Sequence, residues 1–479
     1  MKYPRIIVSA LSGGSGKTIT TLGIISSLKA KGYPVSPFKK GPDYIDAGWL
    51  ALAAGQPCYN LDTFLISPSK IIQLFKTHTQ KDSIAVIEAN RGIYDSIDYE
   101  GSTSTAELAK LINTPVILCL DCTKTTRTLA ALVYGCIKFD PDIMFSGVVL
   151  NRVAGSRHEG IIRKCIENHT GVPVIGAIPK LKKNVFPERH MGLVPTPEHG
   201  WTDNAINTAQ AIAEKYLDLN KICQIAEKAG FLEDKNDLIN KNLSENFSLK
   251  KTITSTKKVK IGIARDAAFQ FYYSENLEEL SNLGAELYFI SPVNDKELPD
   301  LDALYLGGGF PETQAQQIEK NESFRLSLKK AVNNGLPVYA ECGGLMYLGK
   351  SVIVDDISYE MANIFSIIFD LSKRPVAHGY SIIKVDQSNP FFQVGTEIRG
   401  HEFHYSRVLE WNSKEDENLA LKVERGKGFY ENRDGLCKKN VLAAYTHVHA
   451  WGTPQWASGM IRAAKKYQAN KKRDHNNFL

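Results

Sequence analysis

Short apolar, β-branched runs alternate with helix-length segments from the sixth residue onward. RIIVSAL, TTLGIISSLKAKG, IAVIEA, PVILCLD, FSGVVLN and VPVIGAIP follow one another before residue 180. Runs that are apolar on both faces and separated by helices are the pattern of buried parallel strands joined by crossovers. They constrain this part of the chain to an α/β domain with helices on both faces of a doubly wound sheet. The pattern fades near residue 215, and from about Gln224 to Lys258 the sequence turns polar around KNDLINKNLSENFSLKKTITSTKK. A second α/β pattern starts at KVKIGIAR and runs through AELYFIS, ALYLGGG and LPVYAECGG into a more β-rich stretch, HGYSIIKV and RGHEFHYSRVL. The expected organisation is a domain over 1–223, a linker over 224–258, a second domain over 259–464 and a basic tail over 465–479. A chain of 479 residues can bury a core in each part, and no internal repeat relates them.

A composition of 43% hydrophobic and 23% charged residues is that of a globular chain. The net charge of +6 is mild and gathers in the tail from Lys465 to Arg473, so it does not point to nucleic acid and suits a small polyanion equally well. No run reaches membrane-spanning length and the first residues lack a leader pattern, which makes the cytoplasm the expected location. The eight cysteines lack the dense pairing of a disulfide scaffold. Cys119 and Cys122 read as buried thiols at a strand end, because tetrahedral zinc needs four ligands and no second pair lies nearby.

VSALSGGSGKTITTLG follows a strand and opens a helix, the setting in which glycine-rich amides and a helix N-terminus cradle phosphate. Gly13, Gly14, Ser15 and Gly16 form the turn, Lys17 is placed to reach the β/γ-phosphates of ATP, and Thr18 to hold Mg2+. The strict GxxxxGK[ST] spacing fails at its first position, where Leu11 stands. FKKGPDYID adds Lys39, Lys40, Asp43 and Asp46, and IAVIEANRG puts Glu88 just past a strand. Carboxylates at strand C-terminal ends lie at the mouth of a doubly wound sheet, so Thr18, Asp43 and Glu88 are the expected magnesium ligands. Asn151, at the end of VVLN, reads equally as an adenine contact or an ordinary strand-end residue.

In LPVYAECGGLMYLGK, a strand meets a helix at ECGG, which resembles a nucleophile elbow with Cys342 at its tip and a helix dipole favouring the thiolate. LYLGGGFPE offers Gly308 and Gly309 as backbone donors to a developing oxyanion. VLAAYTHVHAWG supplies His447 and His449 as bases, both on one face if the segment is a strand.

ECGGLMYL, LGGGFPE and AAYTHVH together resemble the class I glutamine amidotransferase domain. With the glycine-rich loop, PFKKGPDYID, NLD at Asn60 to Asp62, STAELA at Ser104 to Ala109, RHMGL at Arg189 to Leu193, ARDAAFQFYY and RGHEFHYS, the chain resembles the cobyrinate a,c-diamide synthase family from Ile6 to about Ala464. That resemblance implies a dethiobiotin-synthetase-like, P-loop-like amidoligase domain followed by a glutaminase domain. It implies ATP and Mg2+ as cofactors, and glutamine and a polycarboxylate tetrapyrrole as small-molecule partners; a homodimer is left open. It also implies a Cys342–His447 pair that releases ammonia, and an ATP site in which Asp43, Asp46 and Glu88 serve the chemistry. Many class I members carry an acid two residues after the histidine; here His449 stands there, so a dyad is expected, with His447 matching the family motif. Ser96 follows Tyr94–Asp95 where the family tends to carry glycine. Two readings compete: the same chemistry on nickel-sirohydrochlorin, and a non-catalytic ATPase scaffold, which has no use for Cys342.

Overall fold

The computed structural model describes residues 3–181, 188–189, 192–193, 202–232 and 258–476, in two compact units on either side of residues 233–257. In the first unit β1 (Arg5–Ala10), β2 (Val35–Lys40), β3 (Tyr59–Leu61), β4 (Ile84–Glu88), β5 (Val116–Asp121), β6 (Phe145–Val153) and β7 (Val174–Pro179) form a parallel sheet in the order β3-β2-β4-β1-β5-β6-β7, and β8 (Glu188–Arg189) pairs separately with β9 (Gly192–Leu193). The winding reverses at β1, with β2 to β4 on one side and β5 to β7 on the other, so the crevice for a ligand opens at the C-terminal end of β1. Among the described residues eight helices accompany the sheet: α1 (Lys17–Ala30), α2 (Ile45–Ala54), α3 (Pro68–His78), α4 (Thr105–Leu111), α5 (Thr128–Phe139), α6 (Ser156–Thr170), α7 (Thr202–Tyr216) and α8 (Leu219–Glu227). Both sheet faces are covered, as continuous apolar strands require. Ile6, Val8, Val86, Ile117 and Val149 pack with residues of α1, α2, α7 and α8, while Leu118, Leu120, Val148 and Leu150 pack with α5 and α6.

The expected linker start at residue 224 falls inside α8. Leu219, Ile222, Ile225 and Ala226 are buried in the first core, and the polar Lys221, Gln224 and Glu227 that made the segment read as linker are its solvent face. Asp218 caps this helix by accepting the Lys221 N–H. The last described turns of the unit are fastened to its first strand: the buried Arg5 guanidinium donates to the carbonyls of Ile112, Asn113 and Gly230 at 2.7–2.9 Å. The polar stretch KNDLINKNLSENFSLKKTITSTKK, along with His190 and Met191 of RHMGL, lies outside the described residues.

In the second unit β10 (Val259–Ala264), β11 (Ala285–Ile290), β12 (Ala303–Leu306), β13 (Val338–Glu341) and β22 (Val441–Ala444) make a parallel core in the order β11-β10-β12-β13-β22. The sheet continues antiparallel through β21 (Arg433–Lys438), β20 (Glu417–Arg425), β17 (Ala377–Val385), β18 (Glu397–His404) and β23 (His447–Val448). A separate four-stranded sheet, β15-β14-β16-β19, uses Ile357–Glu360, Ser351–Val354, Ile367–Leu371 and Ser406–Trp411. Of the helices, α9 (Ser274–Asn282) and α12 (Gly343–Leu348) frame the candidate site, with α10 (Ala315–Lys320) and α11 (Glu322–Asn333) between them in the chain. The expected basic tail is the second half of α13 (Pro454–Asn476): Gln468 donates to Asp302 and Lys471 to the Leu301 carbonyl, so it is docked on this unit.

Candidate functional site

The first unit gathers its charged residues around the loop from Leu11 to Gly16. Gly14 and Gly16 take φ of 72° and 93°, and Gly16 is the N-cap of α1. A side chain at Gly16 would begin 2.2 Å from Asn151 Nδ2, and that amide donates to the Ser15 carbonyl at 3.0 Å. Asn151 therefore braces the loop from β6. Lys17 folds back to the Ser12 carbonyl at 3.2 Å, and the Thr18 hydroxyl donates to Glu88 Oε1 at 2.7 Å. Lys39, fully buried at the end of β2, ties the cluster together, 2.7 Å from Asp46 and 3.2 Å from Glu88. Asp43 caps the start of α2 by accepting the Asp46 N–H at 3.0 Å.

Burial is the dominant force on these charges. It pushes Glu88 up to about 7 and Asp43 up to about 6, with Asp46 adding repulsion in both cases and Lys39 pulling the other way. Burial opposes the Lys39 ammonium too, but Asp46 and Glu88 outweigh it and hold the charge. Glu88 Oε2 is buried without a hydrogen-bond partner, and it shares its carboxylate with the oxygen that holds Thr18. Such an oxygen pair suits a hard divalent cation. Among the described residues no three His, Cys, Asp or Glu side chains are arranged to hold a metal.

The loop Arg91–Ser96 runs against the phosphate loop. Ile93 N–H donates to the Ala10 carbonyl at 2.8 Å, and a Cβ on Gly92 would lie 2.4 Å from the Leu11 carbonyl oxygen. Leu11, where the strict motif has glycine, thus meets a glycine from the facing loop. Tyr94 turns away and donates to the Cys136 carbonyl at 2.7 Å, and Ser96 bonds Asp98 and Thr103.

In the second unit Cys342 sits between β13 and α12 with φ 48° and ψ −100°, a strained conformation for a residue with a side chain. Both following glycines are needed for the turn. A Cβ on Gly344 would lie 2.5 Å from the Leu306 carbonyl oxygen, and one on Gly343 would lie 3.0 Å from the Gly309 nitrogen. The glycines of the elbow and of LGGGFPE therefore exist for each other, and they bring the Gly309 amide beside the start of α12. A Cβ on Gly308 would begin 2.4 Å from His447 Cε1, so the same loop makes room for the imidazole. The structure brings Cys342, Gly308, Gly309 and His447 into one buried cluster.

Two expectations are corrected. The expected thiolate is opposed: burial, followed by Glu312, pushes the Cys342 thiol well above the ordinary cysteine value, with the Gly343 N–H pulling the other way. His447 and His449 do not share a face, because β23 ends at Val448 and the chain turns, with the Gly452 and Thr453 amides bonding the His449 carbonyl. His449 points toward α9 instead. Its Nδ1 accepts the Trp451 N–H at 3.2 Å and its Nε2 lies 3.5 Å from Glu275.

Three side chains with no role assigned from sequence adjoin the cluster. Glu341 lies 3.4 Å from His447 Nδ1, and His401 stacks on the His447 ring with centroids 4.8 Å apart. Glu402, which burial raises to about 7, accepts the Lys427 and Gly428 amides. Glu341 stood inside ECGG, but its pairing partner was hidden because β13 and β23 are far apart in sequence.

Residues 6–194 match the CobQ/CobB/MinD/ParA nucleotide binding domain, and residues 260–455 match the CobB/CobQ-like glutamine amidotransferase domain. The chain is 40% identical to the cobyrinate a,c-diamide synthase of Archaeoglobus fulgidus, over 97% of this chain and 98% of that protein. It is 38% identical to the synthases of the same name from Magnetococcus marinus, over 96% and 97%, and from Listeria innocua, over 96% and 100%. No helix among the described residues is long and apolar enough to cross a membrane.

Proposed function

Because the chain belongs to the cobyrinate a,c-diamide synthase family, we propose that it amidates the a and c acetate carboxylates of cobyrinate, using ATP and the side-chain nitrogen of glutamine. The observation that carries this reading is the pairing on one chain of a strained cysteine elbow, packed on a histidine-filled glycine loop, with a phosphate loop whose threonine bonds a buried carboxylate.

In the second unit the Cys342 thiol gives its proton to His447 as its sulfur bonds the glutamine amide carbon. The Gly308 and Gly309 amides receive the oxyanion, ammonia leaves carrying the returned proton, and water releases glutamate from the thioester. In the first unit a substrate carboxylate oxygen attacks the γ-phosphorus of ATP and ADP departs. Ammonia then attacks the acyl carbon, and phosphate leaves. A free carboxylate is a poor electrophile, so the acyl phosphate supplies the leaving group. Gly13, Gly14, Ser15 and Gly16 wrap the phosphates, Lys17 and Lys39 offset their charge, Asp43 and Asp46 hold Lys39 and α2 in place, and Asn151 keeps the loop in shape. Thr18, Asp43 and Glu88 are the residues that would hold Mg2+, which would supply neutralisation of the phosphate charge.

Mass spectrometry of products from cobyrinate and nickel-sirohydrochlorin in parallel tests the substrate. Two successive mass changes of one amidation each are expected with cobyrinate. Turnover of the nickel compound with none of cobyrinate overturns the assignment in favour of the other macrocycle.

A further inference from the structure

His447 needs something to fix its tautomer, and the position that carries an acid in many glutamine amidotransferases is occupied here by His449. We propose that Glu341, the residue immediately before the nucleophile, is the positioning residue that holds the proton on His447 Nδ1 and leaves Nε2 to exchange a proton with Cys342. This rests on the glutaminase reading of the second unit. Glu341 is fully buried at the end of β13. Its Oε1 accepts the Val448 N–H at 3.1 Å, its Oε2 accepts the Tyr305 hydroxyl at 3.0 Å, and the same Oε2 faces His447 Nδ1 at 3.4 Å.

The 3.4 Å between Glu341 Oε2 and His447 Nδ1, with both side chains fully buried, is the long separation usual for a catalytic pair before substrate enters and tightens it. The ring is also held from other sides. His401 stacks on it, and Asn276 fixes the strand it comes from by donating to the Val448 carbonyl and accepting the Ala450 N–H. His449 cannot take the same part, since its two nitrogens are directed to Trp451 and Glu275.

During turnover Glu341 neither gains nor loses a proton. The Cys342 proton passes to Nε2 and then to the departing nitrogen, while Nδ1 keeps its own against the carboxylate. Because Cys342 is buried away from water, its proton must pass to a neighbouring base, and His447 can accept it only in the tautomer that leaves Nε2 bare.

Glu341→Gln tests it. The Val448 N–H requires the amide oxygen, so the NH2 group turns toward Tyr305 and His447 and forces the ring proton onto Nε2. Glutamine-hydrolysis kcat should fall by about 10²- to 10⁴-fold, as when a triad carboxylate is replaced by its amide. KM for glutamine should stay within about threefold. Glu341→Asp should recover part of the rate, and amidation with free ammonium reports that each variant is folded. Nitrogen NMR of the imidazoles should show the His447 proton moving from Nδ1 to Nε2. A folded Glu341→Gln enzyme with kcat within about threefold of the parent, or a parent whose His447 carries its proton on Nε2, overturns the proposal. Cys342→Ala run alongside separates the two ideas: undiminished glutamine hydrolysis in that variant removes the glutaminase reading itself.

Discussion

The two sites solve opposite problems. The phosphate end of the first unit collects charge: Lys17, Lys39, Asp43, Asp46 and Glu88 come from α1, from β2 and the turn after it, from α2 and from β4, and Lys39 bridges Asp46 and Glu88. The cysteine end of the second unit buries its thiol, which disfavours the thiolate, and is assembled from close backbone approaches at Gly308, Gly309, Gly343 and Gly344. A site for phosphate must keep ionised groups ready before the ligand enters. A site for a neutral amide can generate its charge only during the reaction, so shape and a single proton acceptor matter more.

The comparison can be broken by substitutions that act at one end only. Cys342→Ala should lower glutamine-dependent amidation by at least about 10⁴-fold while leaving the rate with high ammonium near the parent value. Product analysis with each nitrogen source checks this, and loss of both in a folded protein counts against separable sites. Lys39→Met should remove amidation from both sources, by about 10²-fold or more. It should also destabilise the first unit by about 3–5 kcal/mol in urea unfolding, because Asp46 and Glu88 are left without their counter-charge in a buried place. Gly308→Ala should slow glutamine hydrolysis by about 10²-fold, since its methyl group takes the place of the His447 ring and misplaces the base.

A pH experiment sharpens the contrast further. Glu88 must shed its proton to hold a cation, and its value of about 7 means that most of it is protonated at pH 6 and ionised at pH 8. Mg-nucleotide affinity measured by calorimetry should therefore fall about tenfold from pH 8 to pH 6. The sign for the unliganded fold is the reverse. The native state binds this proton more tightly than the unfolded chain does, so Glu88 favours the fold below its ordinary value of 4.5 and loses that advantage as pH rises to about 7. The smallest effect belongs to His449→Gln, which should cost about 1–2 kcal/mol of stability through its lost buried bonds and change glutamine kcat by less than about threefold.

Much of this was legible in order along the chain. The strand–glycine–helix junctions at Gly13–Gly16 and at Cys342 are local, and their residues say what the backbone must do. What could not be read was anything made by distant pairing. Glu341 meets His447 only because β18 carries β23 along the far edge of the sheet, and Asn151 becomes a loop brace only because Gly16 leaves it room. The end of the first domain is hidden differently: α8 presents so many polar residues to solvent that they mask its buried stripe of Leu219, Ile222, Ile225 and Ala226, spaced by three and four residues. Burial also works against the thiolate expected at the elbow, because a cysteine's position on a turn says nothing of how much water surrounds it.

Arg5 has a mechanical consequence. By fastening Gly230, just past α8, to the start of β1, it pins the end of the helical layer to the foot of that strand, whereas the phosphate loop begins at its head, six residues or roughly 20 Å away. Fraying that starts at Gly230 is thus met by a buried guanidinium at the foot of the central strand, a full strand length from the glycines of the loop.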